Sequence, residues 1–168
     1  AVGDNVILSY DGTEWTSEAL PDNYPVGTPE ANKGFNAKAV HGTDAENIWA
    51  VGDKAAVAYR GSDGVWTFQD PDWGGGTPFN AVWGRAGDDV FIAGAKGIVR
   101  QYIGEDPWSS VAVKTPKKTP LGDKWPAERS VPLDTNLLNY VGIFGTGDQT
   151  WLFTGNGTLI RHDDQYEL

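Results

Sequence analysis

The chain has 168 residues, contains no cysteine or methionine, and carries 13 basic and 23 acidic side chains, for a net charge of −10. Without cysteine there can be no disulfide framework, thiolate metal site or cysteine nucleophile. The acidic balance argues against a nucleic-acid partner held by phosphate contacts. No apolar run approaches the roughly 18 residues that a membrane span needs. The 22 glycines and 8 tryptophans, among short alternating segments, indicate a turn-rich all-β domain.

A glycine-bracketed pattern recurs along the chain. In three copies, two glycines ten residues apart bracket a short apolar strand, at residues 42–52, 84–94 and 145–155. A partial copy opens the chain, where residues 1–4 repeat residues 50–53 and Trp15 corresponds to Trp66. The copies therefore predict repeated structural units.

Each copy is interpreted as up to four strands, A to D. The first copy predicts only strands B, C and D, at residues 1–2, residues 5–10 and near Trp15. The second predicts strands at 35–40, 47–51, 55–59 and 65–68, and the third at 79–83, 89–93, 97–103 and 108–113. The fourth predicts only strands A, B and C, at 138–144, 150–154 and 158–162.

Repeats of four short strands predict a β-propeller of four-stranded antiparallel blades, because neighbouring blades cover the apolar faces that one small sheet cannot bury alone. The predicted units are residues 1–34 (a partial blade with a loop), 35–78, 79–136 (with a Lys- and Pro-rich insertion at 114–136) and 137–168 (a partial blade). These amount to about three and a half blades, whereas closed propellers have roughly four to eight. We therefore expect a piece of a larger ring, completed by further blades of the same precursor or by another chain.

Two positions of the repeat carry large side chains in several copies. The predicted blade-to-blade core position on strand B holds Trp49, Phe91 and Trp151. A position on strand A holds His41, Trp83 and Phe144. His41 is therefore interpreted as a packing residue, and His162 is expected to be exposed near the end of a strand. The bracket glycines are expected at turns or at close backbone approaches.

The run VHGTDAENIWAVGDKAAVAYRGSDGVWT, residues 40–67, resembles the repeat of a group of bacterial β-propeller proteins, mostly secreted or on the cell surface. Their consensus reads approximately VWG-s-x-x-DVWAVG-x-x-G-x-i-x-h-y-DG-x-x-W. The resemblance covers nearly the whole chain apart from three loops, and departs from the consensus at His41, Phe91 and Phe144. It implies a propeller fold and an extracytoplasmic location, and no particular activity.

An enzyme is one alternative. The turns at residues 9–15 and 62–66 resemble the Asp-box of sialidase-like propellers, which stabilises a hairpin turn. A sialidase would also need three arginines converging on a carboxylate. Arg100 and Arg161 are predicted to share one strand-C position in different blades, which indicates a repeat feature. No catalytic residue is predicted, and a glycan-processing enzyme with its catalytic groups on other blades is kept as an alternative.

A metal site is a weaker alternative. Asp4 and Asp53 lie at predicted equivalent turns, and two acidic pairs occur at residues 88–89 and 163–164. Calcium takes roughly six to eight oxygen ligands, and the sequence has no D-x-D-x-D-G loop. Most of these residues are typical turn formers. No cofactor is predicted, and calcium at Asp4 and Asp53 is the remaining candidate.

A binding surface is the preferred interpretation. Trp73 and Trp125 lie outside the repeat core, where aromatic side chains stack on sugars or anchor protein partners, or else cover their own loops. Lys117 and Lys118 lie in the insertion, which either docks an acidic partner or is a solvated loop. Arg100 and Arg161 complete the set of candidate binding residues. We expect a non-catalytic binding or scaffold module for protein or glycan ligands, with a carbohydrate-binding lectin as the alternative.

Overall fold

The computed structural model describes residues 1–20, 35–71, 76–104, 108–111, 138–147, 149–155 and 159–163, the last of these without their side chains. Within these ranges the chain forms 14 β-strands and two short 3₁₀ turns. No helix in this part of the chain has the length and apolarity needed to cross a membrane.

The strands form four antiparallel sheets in chain order. Sheet 1 contains β1 (Val2–Gly3), β2 (Val6–Tyr10) and β3 (Trp15–Ser17). Sheet 2 contains β4 (Ala37–Asp44), β5 (Asn47–Gly52), β6 (Val57–Arg60) and β7 (Trp66–Gln69). Sheet 3 contains β8 (Phe79–Ala86), β9 (Asp89–Gly94), β10 (Val99–Tyr102) and β11 (Ser109–Ser110). Sheet 4 contains β12 (Tyr140–Thr146), β13 (Gln149–Thr154) and β14 (Leu159–Asp163).

The sheets are arranged as the blades of a propeller. Within each sheet the strands follow one another as simple antiparallel neighbours. The first strands of adjacent four-stranded sheets pack side by side, β4 against β8, and β8 also packs against β12. This arrangement places the first strand of each blade innermost and stacks the blade faces against each other. The predicted all-β, partial-propeller fold is confirmed.

Three apolar clusters fill the seams between neighbouring sheets. The seam between sheets 1 and 2 is built around Ile7, Phe35, Trp66 and Phe68. The seam between sheets 2 and 3 is built around Trp49, Val57, Phe79, Ile92 and Trp108. The seam between sheets 3 and 4 is built around Phe91, Val99, Tyr140 and Leu152. Each sheet is therefore stabilised chiefly by burial of its faces against its neighbours.

The first glycine of each bracket, Gly42, Gly84 or Gly145, lies inside an innermost strand that ends later than predicted. Gly84 lies within β8, and its carbonyl accepts a hydrogen bond from His41 Nε2 at 3.1 Å. Gly145 lies within β12, where an added Cβ would come within 2.2 Å of the Trp83 ring. In both cases a side chain of one innermost strand, His41 or Trp83, contacts a glycine of the next innermost strand. At Gly84 and Gly145 the predicted close approach is confirmed and the chain turns only after the strand, whereas Gly155 lies in a turn.

The outer faces of the two end sheets are apolar and exposed. Trp15 pairs with Tyr10 and is 60% exposed, whereas its counterpart Trp66 is 6% exposed against sheet 1. At the other end, Phe144 and Phe153 are 42% and 37% exposed. The counterparts of Trp15 and Phe153 are buried where a neighbouring blade covers them, and those of Phe144 are partly buried.

Candidate binding cleft between the second and third sheets

A cleft of about 380 Å³ opens on the seam between sheets 2 and 3. Its lining residues come from both sheets: Asn47, Tyr59, Gly87, Asp88, Tyr102 and Gly104. The turns between the first and second strands, and the ends of the third strands, meet here because neighbouring blades have the same orientation. The cleft is therefore built from repeat elements of two blades.

The two tyrosines of the cleft rest on a buried aromatic cluster. The ring centroid of Trp49 lies 4.4 Å from that of Tyr59 and 5.1 Å from that of Tyr102. Trp108 packs 5.3 Å from Tyr102 and edge-on to Trp49 at 5.4 Å. Trp49 and Trp108 are each only 2% exposed. Close aromatic packing of this kind fixes both tyrosine rings on a rigid base.

Hydrogen bonds order the polar side of the cleft. The Tyr59 hydroxyl donates to Asn47 Oδ1 at 2.8 Å, and Asn47 Nδ2 donates to both carboxylate oxygens of Asp44 at 3.0 Å. The Asn47 amide holds the pKa of the Asp44 carboxyl below its ordinary value, so this carboxylate stays ionised at neutral pH. Burial raises the pKa of Tyr59, and the negative charges of Asp44, Asp63 and Glu46 add to that effect.

Glycines keep the cleft open. An added Cβ at Gly87 would come within 2.5 Å of the Asn47 side-chain amide, which is already held by its hydrogen bonds. Gly104 has a φ of +82°, a left-handed conformation that disfavours other residues, and its added Cβ would lie 3.1 Å from the Cβ of Asp88. A side chain at either position would crowd the lining of the cleft.

The charges beside the cleft differ in their partners. Asp89 is bound by the Arg85 guanidinium and accepts a hydrogen bond from Gln101 Nε2 at 3.0 Å. Asp88 is exposed, and within the described ranges its carboxylate has no ion pair or hydrogen bond. The cleft thus presents two aromatic rings and an accessible carboxylate. These are groups that attract cations and pack on the stems of long side chains.

Most of the binding residues predicted from sequence lie outside the described residues. These are Trp73, Trp125, Lys117 and Lys118. Arg161 lies in β14, of which only the backbone is described. Their binding roles stay predictions.

Arg100 lies in β10 and is largely buried, 9% exposed, with its guanidinium donating to the Ser110 hydroxyl. It pairs with Ile92, whereas Arg161 pairs with Trp151, the counterpart of Phe91. Arg161 therefore corresponds to Gln101, the residue that pairs with Phe91 and follows Arg100 in the chain. The predicted equivalence of the two arginines is wrong. Gln101 lies ten positions after its partner Phe91, and Arg161 lies ten positions after its partner Trp151, so the two hairpins have the same register.

The candidate calcium ligands have other partners. Asp53 accepts a hydrogen bond from Asn36 at 2.7 Å and forms an ion pair with Lys38 at 2.6 Å. The hydrogen bond from Lys38 is the main cause that lowers the pKa of the Asp53 carboxyl. Asp4 is exposed and pairs with Asn36 through the backbone. In the described part of the chain, no group of three or more histidine, aspartate or glutamate side chains is placed to hold a metal ion.

The Asp-box-like turns are built by their aspartates. Asp11 Oδ1 accepts hydrogen bonds from the backbone of Thr13 at 2.8 Å and Glu14 at 2.9 Å. Asp63 Oδ1 accepts one from Val65 at 3.0 Å. The two backbone amides also lower the pKa of the Asp11 carboxyl, with Glu14 contributing most. Both aspartates therefore stabilise hairpin turns, as the sequence resemblance implied.

The cleft was not among the sites predicted from the sequence. Its tyrosines occupy different positions of the repeat, since Tyr59 corresponds to Gln101 and Tyr102 corresponds to Arg60. Only the seam between two blades brings them together. Tyr102 repeats Tyr10 of the first copy, whereas Tyr59 stands where the neighbouring copies have Ser9 and Gln101, so only Tyr59 was a departure visible in the sequence.

No family model matches the sequence, and no curated protein matches it. Among solved structures, the chain is similar to YCF48 from Cyanidioschyzon merolae, with a TM-score of 0.63 and 14% identity over 99% of this chain and 46% of that one. It is also similar to a structure of YCF48 bound to D1 peptide, with a TM-score of 0.55 and 20% identity over 79% of this chain and 39% of that one. The chain thus spans less than half the length of these structures. At this identity the likeness concerns the fold, that of a β-propeller.

Proposed function

We propose that the chain is part of a non-catalytic β-propeller that binds a polypeptide partner. The observation that carries the proposal is that a propeller of similar fold has been solved with a bound peptide. The cleft between sheets 2 and 3 supports it, because rigid blades hold tyrosine rings and polar groups at an accessible edge. Binding groups on a stiff scaffold lose little freedom when a ligand docks.

An extracytoplasmic location and further blades belong to the same proposal. The location rests on the resemblance of the repeat to those of secreted and cell-surface propellers. The further blades rest on the exposed apolar faces of the end sheets, whose counterparts are buried inside the chain. Fractionation of the source cells with an antibody against the chain would test the location. Recovery with cytoplasmic proteins would contradict it.

The binding proposal is tested by selecting ligands from two libraries in parallel. The purified 168-residue chain is immobilised and exposed to a displayed random-peptide library, and the labelled chain is applied to a glycan array. We expect peptides to be enriched, and synthetic copies of them to bind in a calorimetric titration. An unrelated acidic all-β domain is the control. Retention on glycans without any enriched peptide would contradict the proposal in favour of a lectin.

A further inference from the structure

The seam between sheets 1 and 2 and the seam between sheets 2 and 3 have different residues at one position of the third strand. Tyr102 pairs with Val90 as Arg60 pairs with Ile48, so the two residues occupy the same position, 42 residues apart. At the seam between sheets 1 and 2, the residue at this position is a cationic side chain of the chain itself, Arg60. The Arg60 guanidinium lies 3.2 Å from the Glu18 carboxylate and donates to the Ala45 carbonyl at 3.4 Å.

The seam between sheets 2 and 3 has a tyrosine at this position, and its arginine, Arg100, lies two residues earlier on the same side of β10, largely buried and bonded to Ser110. Gly87 and Asp88 stand where the first seam has Ala45 and Glu46, by the same spacing of 42. Tyr102, like Tyr10 of sheet 1, stands where sheet 2 has Arg60; it packs on the aromatic cluster, and the cleft opens beside it. The acidic turn residue Glu46 of the first seam is retained as Asp88, Gln69 stands where the first seam has Glu18, and no arginine lies at the position of Tyr102 itself.

We propose that this cleft binds a lysine or arginine side chain of the polypeptide partner, in the place that corresponds to Arg60 at the neighbouring seam. The inference rests on the proposed function and names the chemistry of its ligand. The aliphatic stem packs on the rings of Tyr59 and Tyr102, and the charged head lies near the carboxylate of Asp88.

Size and charge support this occupant. The volume of about 380 Å³ is near the lower end of the roughly 300–1,000 Å³ of ligand pockets, which suits one long side chain with its backbone. Asp44, Glu46 and Asp63 lie close enough to raise the pKa of Tyr59 by their negative charge. The chain as a whole carries a net charge of −10. A basic segment is therefore attracted to this surface at moderate ionic strength.

The test uses blocked peptides that differ in one side chain. Acetylated and amidated Gly-Ser-X-Ser-Gly, with lysine, arginine, norleucine or glutamate at X, is titrated into the isotope-labelled chain. We expect saturable shifts of the Gly87 and Gly104 amide resonances with lysine and arginine, and none with norleucine or glutamate. The shifts should weaken as salt is added. Equal binding of the norleucine peptide would overturn the proposal.

Charge variants locate the interaction. Asp88 is exposed, so Asp88→Asn should fold normally and weaken lysine-peptide binding roughly threefold to fivefold. Asp88→Lys should abolish it, since the variant places a cation in the cleft. Glu14→Gln and Glu14→Lys make the same charge changes at an exposed turn of sheet 1 and are the matched controls. Equal losses in the Asp88 and Glu14 variants would show attraction to net charge alone and overturn the proposal.

The two proposals fail in different ways. If selected peptides bind the chain but Asp88→Asn leaves their affinity unchanged, the polypeptide-binding function stands and the cleft assignment is wrong. If no peptide binds at all, the proposed function itself is wrong. If a neutral sugar shifts the Gly87 and Gly104 resonances while the lysine peptide does not, the cleft is a glycan site.

Discussion

Tyr140 shows at the residue scale what the blade seams require of a polar atom. Its side chain is fully buried between sheets 3 and 4, and its hydroxyl has no hydrogen-bond partner among the described residues. Loss of solvent raises the pKa of Tyr140 to about 12, because the buried site disfavours the phenolate. Burial of the Tyr140 ring stabilises the folded chain, whereas burial of its unpaired hydroxyl destabilises it.

Tyr140→Phe should therefore be as stable as the parent at pH 7, or slightly more stable, because it removes an unpaired buried hydroxyl. Between pH 10 and about 12 the unfolded parent loses this proton while the folded chain keeps it. The parent should thus lose about 2–3 kcal/mol relative to the variant over this range. Denaturant unfolding at pH 9, 11 and 12 measures the difference. A constant difference at all three values would contradict the burial of this hydroxyl.

Single residues also show which features of the site the sequence could predict. The turn roles of Asp11 and Asp63 followed from local chemistry, because each aspartate bonds the backbone a few residues away. The cleft depends on Tyr59 and Tyr102, which are 43 residues apart and meet only across a blade seam. A contact between non-equivalent positions of a repeat leaves no periodic signal.

At the scale of elements, the repeat pattern predicted the strands because each blade reuses one alternation of buried and exposed side chains. Strand β5 begins at the predicted Asn47 and ends one residue later than expected. Among the innermost strands, β4 and β8 were predicted too short, and β12 was predicted two residues too early. Register shifts near each end of β4 and β8 bend these strands, and the pairing continues past the bracket glycines. Such bulges have no clear pattern in a single sequence.

The hairpin between β9 and β10 depends on a close approach at Gly94. A Cβ added there would lie 2.1 Å from the Pro78 carbonyl oxygen and 3.0 Å from the Phe79 Cα, both backbone atoms that cannot move alone. At Gly142 in β12, an added Cβ would lie 3.4 Å from the Phe153 ring, at the edge of ordinary van der Waals contact. Substitutions at Gly94, where a Cβ has no room, and at Gly142, where it has room, can therefore be compared directly.

Gly94→Ala should destabilise the chain by about 2–3 kcal/mol or more, because overpacking forces the backbone of β8 to shift. Gly142→Ala should change stability by less than about 1 kcal/mol. Denaturant unfolding of both variants measures the difference. If the Gly94 variant unfolds at the same denaturant concentration as the Gly142 variant, the described approach of β9 to Pro78 is wrong.

At the scale of the whole molecule, the two end faces are complementary halves of the seam that repeats inside the chain. The face of sheet 4 carries Trp151 and Phe153, the counterparts of seam residues in sheets 2 and 3. The face of sheet 1 carries Trp15, which corresponds to the buried Trp66 and Trp108. Exposed apolar faces of this kind favour association with further blades.

The native mass of the purified chain, measured by light scattering beside its denatured mass of 18.1 kDa, tests this account most directly. We expect a native mass well above 18.1 kDa, with further blades covering both end faces, and a return toward that value in Trp15→Ser and Phe153→Ser variants. A cooperatively folded species at 18.1 kDa, unaffected by either substitution, would contradict the proposal that the end faces are blade seams.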